Sequence, residues 1–240
     1  MTTLLLIRHG HSVANADGIL AGWTPEIGLT DLGRDQISAL RAHLAGIPVV
    51  QVVSSPVQRC RDSAAALFPS HPIDTDDGLG ECHYGAWTGR VLTELTDDPL
   101  WRTVQDEPQR ARFPDDPREH GYAAESLAEM TERVSAALLA RAAAIEQAHG
   151  PDAIWAAISH GDPIKSAVAT VSGAGVAGLQ RFHVSPASVT VLRWTRSQDQ
   201  VRPMLIAMNS RGEGIADLVK LSKPAAAQNA ADITPGGGDR

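Results

Sequence analysis

The chain reads as an α/β protein: a three-layer sandwich with a mostly parallel central sheet flanked by helices, and a small cap of helices and loops. Two observations predict this. Three short apolar runs, Thr3–Ile7, Pro48–Val53 and Ala153–Ile158, are each followed by a helix signature, the alternation that builds parallel sheets. His9, Arg59 and His160 each fall at or just after the end of one of those runs. Ligands of open α/β sheets collect beyond the carboxyl ends of the strands, so this shared placement brings distant residues toward one pocket.

Taken in order, Thr3–Ile7 is apolar on both faces, as a buried strand is. From Thr30 to about Leu44, Ile37, Leu40 and Leu44 recur at helical spacing and Thr30 can cap. Pro48–Val53 is a second strand. The helix after it takes Ser55 as N-cap, Pro56 as first position and Gln58 as the partner in a capping box, and runs to about Phe68. Residues 70–125 are rich in Pro, Gly and Asp and predict short helices and loops over one end of the sheet. Ser126 and Glu129 form another capping box. It opens a long Ala-rich helix with Leu127, Met130, Val134, Leu138 and Ile145 on one face, ended by Gly150-Pro151. Ala153–Ile158 is the third strand, with Asp162 as cap and Pro163 as first position of the helix beyond. Phe182–Val184, Ser188–Trp194 and Val201–Met208 predict later strands. We expect one domain over residues 1–222, with a cap insertion at about 82–125, and a disordered tail over 223–240.

An apolar content of 43% suits a sizeable core, and the net charge of −7 argues against nucleic acid as a partner. An anion must then be held in a local basic pocket. Cys60 and Cys82 lack CxxC spacing and read as reduced, buried thiols. Arg8 interrupts the first apolar run, which is too short for a signal peptide. No run approaches the roughly 18–20 apolar residues of a membrane span, so no membrane partner and a cytoplasmic location are expected. Oligomeric state stays open, a homodimer included.

Arg8-His9-Gly10-His11-Ser12 places a cation and an imidazole where a strand gives way to a glycine-turned loop. Ser54–Arg59 and Ser159-His160-Gly161-Asp162 do the same at the other strand ends, and Glu81 lies between them in sequence. Phosphoryl transfer needs an in-line nucleophile, neutralised equatorial oxygens and a proton for the leaving group. A neutral imidazole at His9 can attack. Arg8 and Arg59 can bind phosphate bidentately and hold His9 unprotonated. His160 can stabilise developing charge, and Glu81 can give and take the proton. Such a site needs neither metal nor cofactor. Two rival classes are a metal-dependent hydrolase, from the His9-x-His11 and His160-x-Asp162 spacings, and a non-catalytic binder of phosphorylated ligands.

This set resembles the histidine phosphatase superfamily, the phosphoglycerate mutase-like family. Arg8-His9-Gly10 with Ser12 and Asn15 resembles its RHGxSxxN signature. Ser54–Ala64 resembles its SSPxxRxxxTA block, Leu79–Gly89 its LxExxxGxWxG block and Ser159-His160-Gly161 its last block. Glu125-Ser126 resembles the step before its long helix. The segments Glu81–Arg90 and Ala111–Pro114 are most similar to an actinobacterial branch of phosphomutases and broad-specificity phosphatases. The resemblance implies a phosphorylated His9, a proton donor in Glu81, and a phosphate pocket of Arg8, Arg59, His160 and Gly161. Ser12 and Asn15 are implied substrate contacts, and Ala21 and Gly22 the entrance. The implied activity is a metal-independent phosphomonoesterase acting on a small phosphorylated metabolite, with a cofactor-dependent phosphoglycerate-type phosphomutase as the alternative. His11, His83 and Ala124 depart from the family's usual residues and bear on substrate choice. His11, His83 and His120 read as structural or rim histidines, and Trp87 and Trp101 as core of the cap. Arg110, Arg112 and Arg118 read as a solvated basic face or a grip on an anionic substrate tail.

Overall fold

The computed structural model describes residues 2–119, 121–197, 200–212 and 214–221, so the expected tail and His120 lie outside the described residues. In chain order the elements are β1 (Thr3–Arg8), α1 (Val13–Ala16), α2 (Asp31–Leu44), β2 (Val49–Ser54), α3 (Gln58–Leu67), β3 (Ile73–Thr75), α4 (Leu92–Leu95) and α5 (Pro99–Asp106). Then follow α6 (Leu127–His149), β4 (Ile154–Ser159), α7 (Gly161–Val171), β5 (Val189–Ser197), β6 (Gln200–Ser210) and α8 (Ile215–Leu221). The strands form one six-stranded sheet in the order β3-β2-β4-β1-β5-β6. The β3-β2-β4-β1 half is parallel; β5 and β6 pair antiparallel, which makes the sheet mixed.

Alternation along the central strands sorts the core into two layers. Leu4, Leu6, Trp155 and Ala157 join α6, α7 and the cap residues, while Leu5, Ile7, Ala156 and Ile158 join α2, α3 and α8. Each fully buried aliphatic side chain contributes about 1.5–3 kcal/mol. A one-residue slip of β1 would exchange its faces, so this alternation fixes the register that places Arg8 beside Ser159.

The helix ends follow the sequence in two cases. Thr30 Oγ1 accepts from Gly33 N at 3.1 Å to start α2. Ser126 and Glu129 bond reciprocally at 3.1 and 2.7 Å to start α6, which ends at Gly150 with φ +82. Two expected starts are corrected. α3 begins at Gln58 after Val57, not at a Ser55 cap, because the Ser55 hydroxyl turns to His160 at 2.8 Å. α7 begins at Gly161 with His160 as cap, and the Asp162 carboxylate is taken by Tyr84 and Lys165 instead. Phe182–Val184 is not a strand: it is an extended connection after the 3₁₀ turn Val176–Arg181, and the Val184 carbonyl accepts from Arg8. β3, α1 and α8 are additions; β3 has three residues, too few for a pattern to show. Among the described residues, no helix is long and apolar enough to cross a membrane.

Candidate active site

β1, β2 and β4 end side by side. His9 N donates to Ser159 O at 3.1 Å and Ser55 N to Ile158 O at 2.9 Å, which stitches the three strand ends together. Gly10 is required there: a Cβ would lie 2.7 Å from Gly33 O and 2.9 Å from Ile37 Cγ1. Gly10 N donates to Ser63 Oγ at 3.1 Å, and that hydroxyl donates to Arg59 O at 2.7 Å, so the loop after β1 is tied to α3.

His9 is buried, and its Nδ1 lies 2.7 Å from Gly10 O. A carbonyl can only accept, so the proton sits on Nδ1 and Nε2 keeps its lone pair. Arg59 Nε donates to that Nε2 at 3.2 Å. Burial first, then the Arg59 and Arg8 charges, hold His9 well below the usual imidazole range. Arg59 is 2% exposed. Its Nη2 donates to Gly22 O at 2.9 Å and to His160 Nδ1 at 3.0 Å. His160 therefore carries its proton on Nε2, where it donates to Ser55 Oγ at 2.8 Å. Burial and Arg59 push it well below its ordinary value too. Arg8 Nη1 donates to Val184 O at 2.6 Å. Arg8 Nε and Arg59 Nη1 are buried and have no hydrogen-bond partner among the described residues. Two unspent guanidinium donors beside an imidazole lone pair are what an oxyanion would satisfy.

Glu81 follows the 3₁₀ turn Asp77–Leu79, and its backbone is held from two sides. Trp23 Nε1 donates to Glu81 O at 2.6 Å and Arg133 Nη2 to the same oxygen at 3.2 Å. Arg133 Nη1 spans the carbonyls of Asp77, Gly78 and Gly80 at 3.1 Å each, while Nη2 pairs with Glu125 at 2.6 Å. Burial, then the nearby Asp162 charge, raise the Glu81 carboxyl to about 7. Asp162 itself stays low despite its burial, with Lys165 and the Tyr84 hydroxyl favouring its ionised form. Two adjacent carboxyls pushed apart in this way suit one for donating a proton near neutrality.

These groups surround a cavity of about 320 Å³. Arg8, His9, Ser12, Asn15, Ala21, Gly22, Arg59, Glu81 and Gly161 all line it. His160 is not on the wall; it lies behind Arg59 with no exposure. Ser12 and Asn15 also form the capping box of α1, with Ser12 Oγ donating to Asn15 Oδ1 at 3.0 Å. The sequence reading missed Tyr84, Asp162, Lys165 and His183 on the wall. Only Asp162 carries a signal, a carboxylate two residues after a strand-end histidine, which reads in the sequence as a helix cap or, in the metal-hydrolase alternative, as a ligand. The cap arginines bridge acids: Arg110 to Glu107 at 2.8 Å, Arg112 to Glu129 at 2.5 Å, and Arg118 to Asp116. His83 stacks on Trp23 at 4.6 Å, and His11 Nδ1 meets Thr30 Oγ1 at 3.0 Å. Among the described residues, no group of three or more His, Cys, Asp or Glu is placed to hold a metal ion. Trp87 is buried and stacks with Trp101.

A mixed α/β sheet whose strand ends set a buried imidazole beside two guanidinium groups defines a site suited to holding an oxyanion. The chain belongs to the histidine phosphatase superfamily (branch 1), whose family model matches residues 4–205. It is 35% identical over 94 residues to glucosyl-3-phosphoglycerate phosphatase of Mycolicibacterium vanbaalenii, covering 38% of this chain and 41% of that protein. It is 37% identical over 98 residues to the 2,3-bisphosphoglycerate-dependent phosphoglycerate mutase of Thermoplasma acidophilum, covering 40% and 49%. These matches thus span less than half the length of the curated relatives. The fold is that of mycobacterial glucosyl-3-phosphoglycerate phosphatase complexed with VO3, at TM-score 0.73 and 24% identity over 87% of this chain and 99% of that one. Phosphoserine phosphatase from Entamoeba histolytica in complex with 3-phosphoglyceric acid shares it, at TM-score 0.73 and 24% identity over 88% and 98%.

Proposed function

We propose that the protein is a phosphomonoesterase that needs no metal and hydrolyses a small phosphorylated metabolite through a phosphohistidine on His9. The observation that carries this reading is the buried His9 Nε2 lone pair flanked by the unspent donors Arg8 Nε and Arg59 Nη1. Family membership and relatives named as phosphatases support it. The substrate phosphate takes its oxygens to Arg8 and Arg59. His9 Nε2 attacks phosphorus in line, and the bond to the leaving oxygen breaks as Glu81 gives that oxygen its proton. Glu81 then accepts a proton from water, which attacks the phosphohistidine and frees His9 and inorganic phosphate. His160 acts from behind: its Nδ1 accepts from Arg59 Nη2 and its Nε2 donates to Ser55 Oγ, which holds the Arg59 guanidinium toward the phosphate. Ser12 and Asn15 contact the substrate at the entrance formed by Ala21 and Gly22, and Gly161 opens α7 toward the anion.

The test is phosphate release from a panel of phosphate esters in EDTA, with His9→Ala as control. Release that survives EDTA and vanishes in the variant is expected. Turnover near wild type in His9→Ala sinks the mechanism, and loss in EDTA sinks metal independence. Because one relative is named as a mutase, phosphoglycerates are followed in parallel; isomerisation without release would replace the phosphatase reading with a mutase.

A further inference from the structure

The wall of the cavity carries a connected polar group that binds none of the reacting atoms in the scheme above. Tyr84 donates its hydroxyl to Asp162 Oδ2 at 2.7 Å. Lys165 Nζ donates to Asp162 Oδ1 at 3.1 Å and to Gln180 Oε1 at 3.1 Å. All three of Tyr84, Asp162 and Lys165 line the cavity, and Lys165 and Asp162 have side chains only 21% and 20% exposed. We propose that the Asp162–Lys165 ion pair, with the Tyr84 hydroxyl, is the subsite for the alcohol half of the substrate, and that it selects an uncharged, hydroxyl-bearing alcohol over a carboxylate. The inference rests on the phosphomonoesterase reading and narrows its substrate class.

The hydrogen-bond inventory supplies the reason. An ammonium has three N–H donors, and Asp162 and Gln180 occupy two of them. A carboxylate offers about four lone-pair positions, of which Tyr84 and Lys165 fill two. The subsite thus retains one donor and two acceptor positions, the complement of a substrate hydroxyl that accepts from Lys165 and donates to Asp162. A substrate carboxylate gains from Lys165 but faces the Asp162 charge beside it, and it has no proton for the open acceptor positions. Its desolvation goes uncompensated. The pairing of Asp162 with Lys165 and Tyr84 keeps it ionised, which maintains that repulsion. Among the described residues, the other Lys or Arg side chains on the wall are Arg8 and Arg59, both given to the phosphate. His183, at the exposed rim, meets Ser185 Oγ through Nε2 at 3.2 Å. The cap arginines bridge acids and do not line the cavity. Ile19, Leu20 and Leu92 supply apolar contact for a short carbon chain. The volume lies at the low end of the range of about 300–1,000 Å³ for small-molecule sites.

Glycerol 3-phosphate and 3-phosphoglycerate form a matched pair: both carry the phosphate on a primary CH2–O next to CHOH, and only CH2OH or carboxylate differs at the far end. Each is measured as a competitor of p-nitrophenyl phosphate hydrolysis by the wild type and by Asp162→Asn. Glycerol 3-phosphate should compete at least about 10-fold more tightly with the wild type, as expected of a site built for a hydroxyl. In Asp162→Asn the freed Lys165 ammonium should bring the two inhibition constants together or invert them. Equal or tighter binding of 3-phosphoglycerate to the wild type, competition by neither ester, or an unchanged ratio in Asp162→Asn each overturns the inference. Absence of p-nitrophenyl phosphate hydrolysis by the wild type is a different result: it overturns the phosphomonoesterase reading, and this inference with it.

Discussion

At the scale of single residues, the site rests on two opposed shifts. His9 is kept neutral and so nucleophilic, while Glu81 is kept protonated to about 7 and so able to donate. Glu81→Gln should slow hydrolysis of alkyl phosphates by about 10²–10⁴, the usual contribution of a general acid. Aryl phosphates, whose leaving groups need little protonation, should be affected much less. Equal losses in both series would argue against Glu81 as donor. The sign of the pH dependence follows from the raised value. The donor is active below about 7 and lost above it, so kcat/KM for an alkyl phosphate should fall as pH rises through about 7. Asp162 is the second cause of that shift after burial, so Asp162→Asn should move the alkaline limb to lower pH. A limb that stays put or moves up in a pH profile of that variant would remove Asp162 from the account.

At the scale of elements, the loop between β3 and α4 is shaped by groups remote in sequence. Arg133 on α6 crosslinks the carbonyls from Asp77 to Glu81, and Ser159 at the end of β4 donates to Leu79 O at 2.7 Å. A lysine cannot span these acceptors, because its donors radiate from one atom rather than a planar fork. Arg133→Lys should therefore lower kcat for alkyl phosphates about 10-fold or more, with aryl phosphates less affected, since a displaced donor costs catalysis steeply. Equal kinetics for variant and wild type would show that the loop holds itself. Gly80 is a second constraint, since a Cβ there would lie 2.0 Å from Trp23 Cζ2. Gly80→Ala should displace Trp23, which is read as altered tryptophan fluorescence together with the same alkyl-specific loss. The strand-end residues of this site were legible in the sequence because each sits beside its own strand: His9 after β1, Arg59 after β2, His160 after β4. Arg133 was not, since its partners are set by how α6 packs on the loop after β3; Lys165 was not, since its place on the cavity wall depends on how α7 and the Val176–Arg181 turn meet. Ser55 was misread for the same reason: a serine before proline looks like a cap until His160 is brought beside it.

At the scale of the whole molecule, burying titratable groups at the ends of the sheet's central strands links stability to pH. His9 and His160 have folded values well below the unfolded one. Their contribution is present above about pH 6.5 and lost as pH falls below it, because the unfolded chain takes up the protons. Glu81 acts oppositely: its raised value favours the folded state as pH falls from about 7 toward the ordinary carboxyl range. These three groups together take up roughly one net proton on unfolding near pH 5.5, and Glu81→Gln should raise the molecule's uptake there by about one. Denaturant titrations across this pH range check it; a variant with the wild-type slope would contradict it. The sheet's parallel half was legible from buried runs followed by helices, whereas its antiparallel edge was readable as strands but not in direction. The central claim is that His9 Nε2 carries the phosphoryl group. The most direct measurement is to mix the EDTA-treated protein with substrate, quench in base, and locate the phosphate by peptide mass spectrometry, with phosphorus NMR to assign the ring nitrogen. The account predicts phosphate on the peptide containing His9, at Nε2. Phosphate on another residue or on Nδ1, or steady turnover with no phosphoprotein formed, would contradict it.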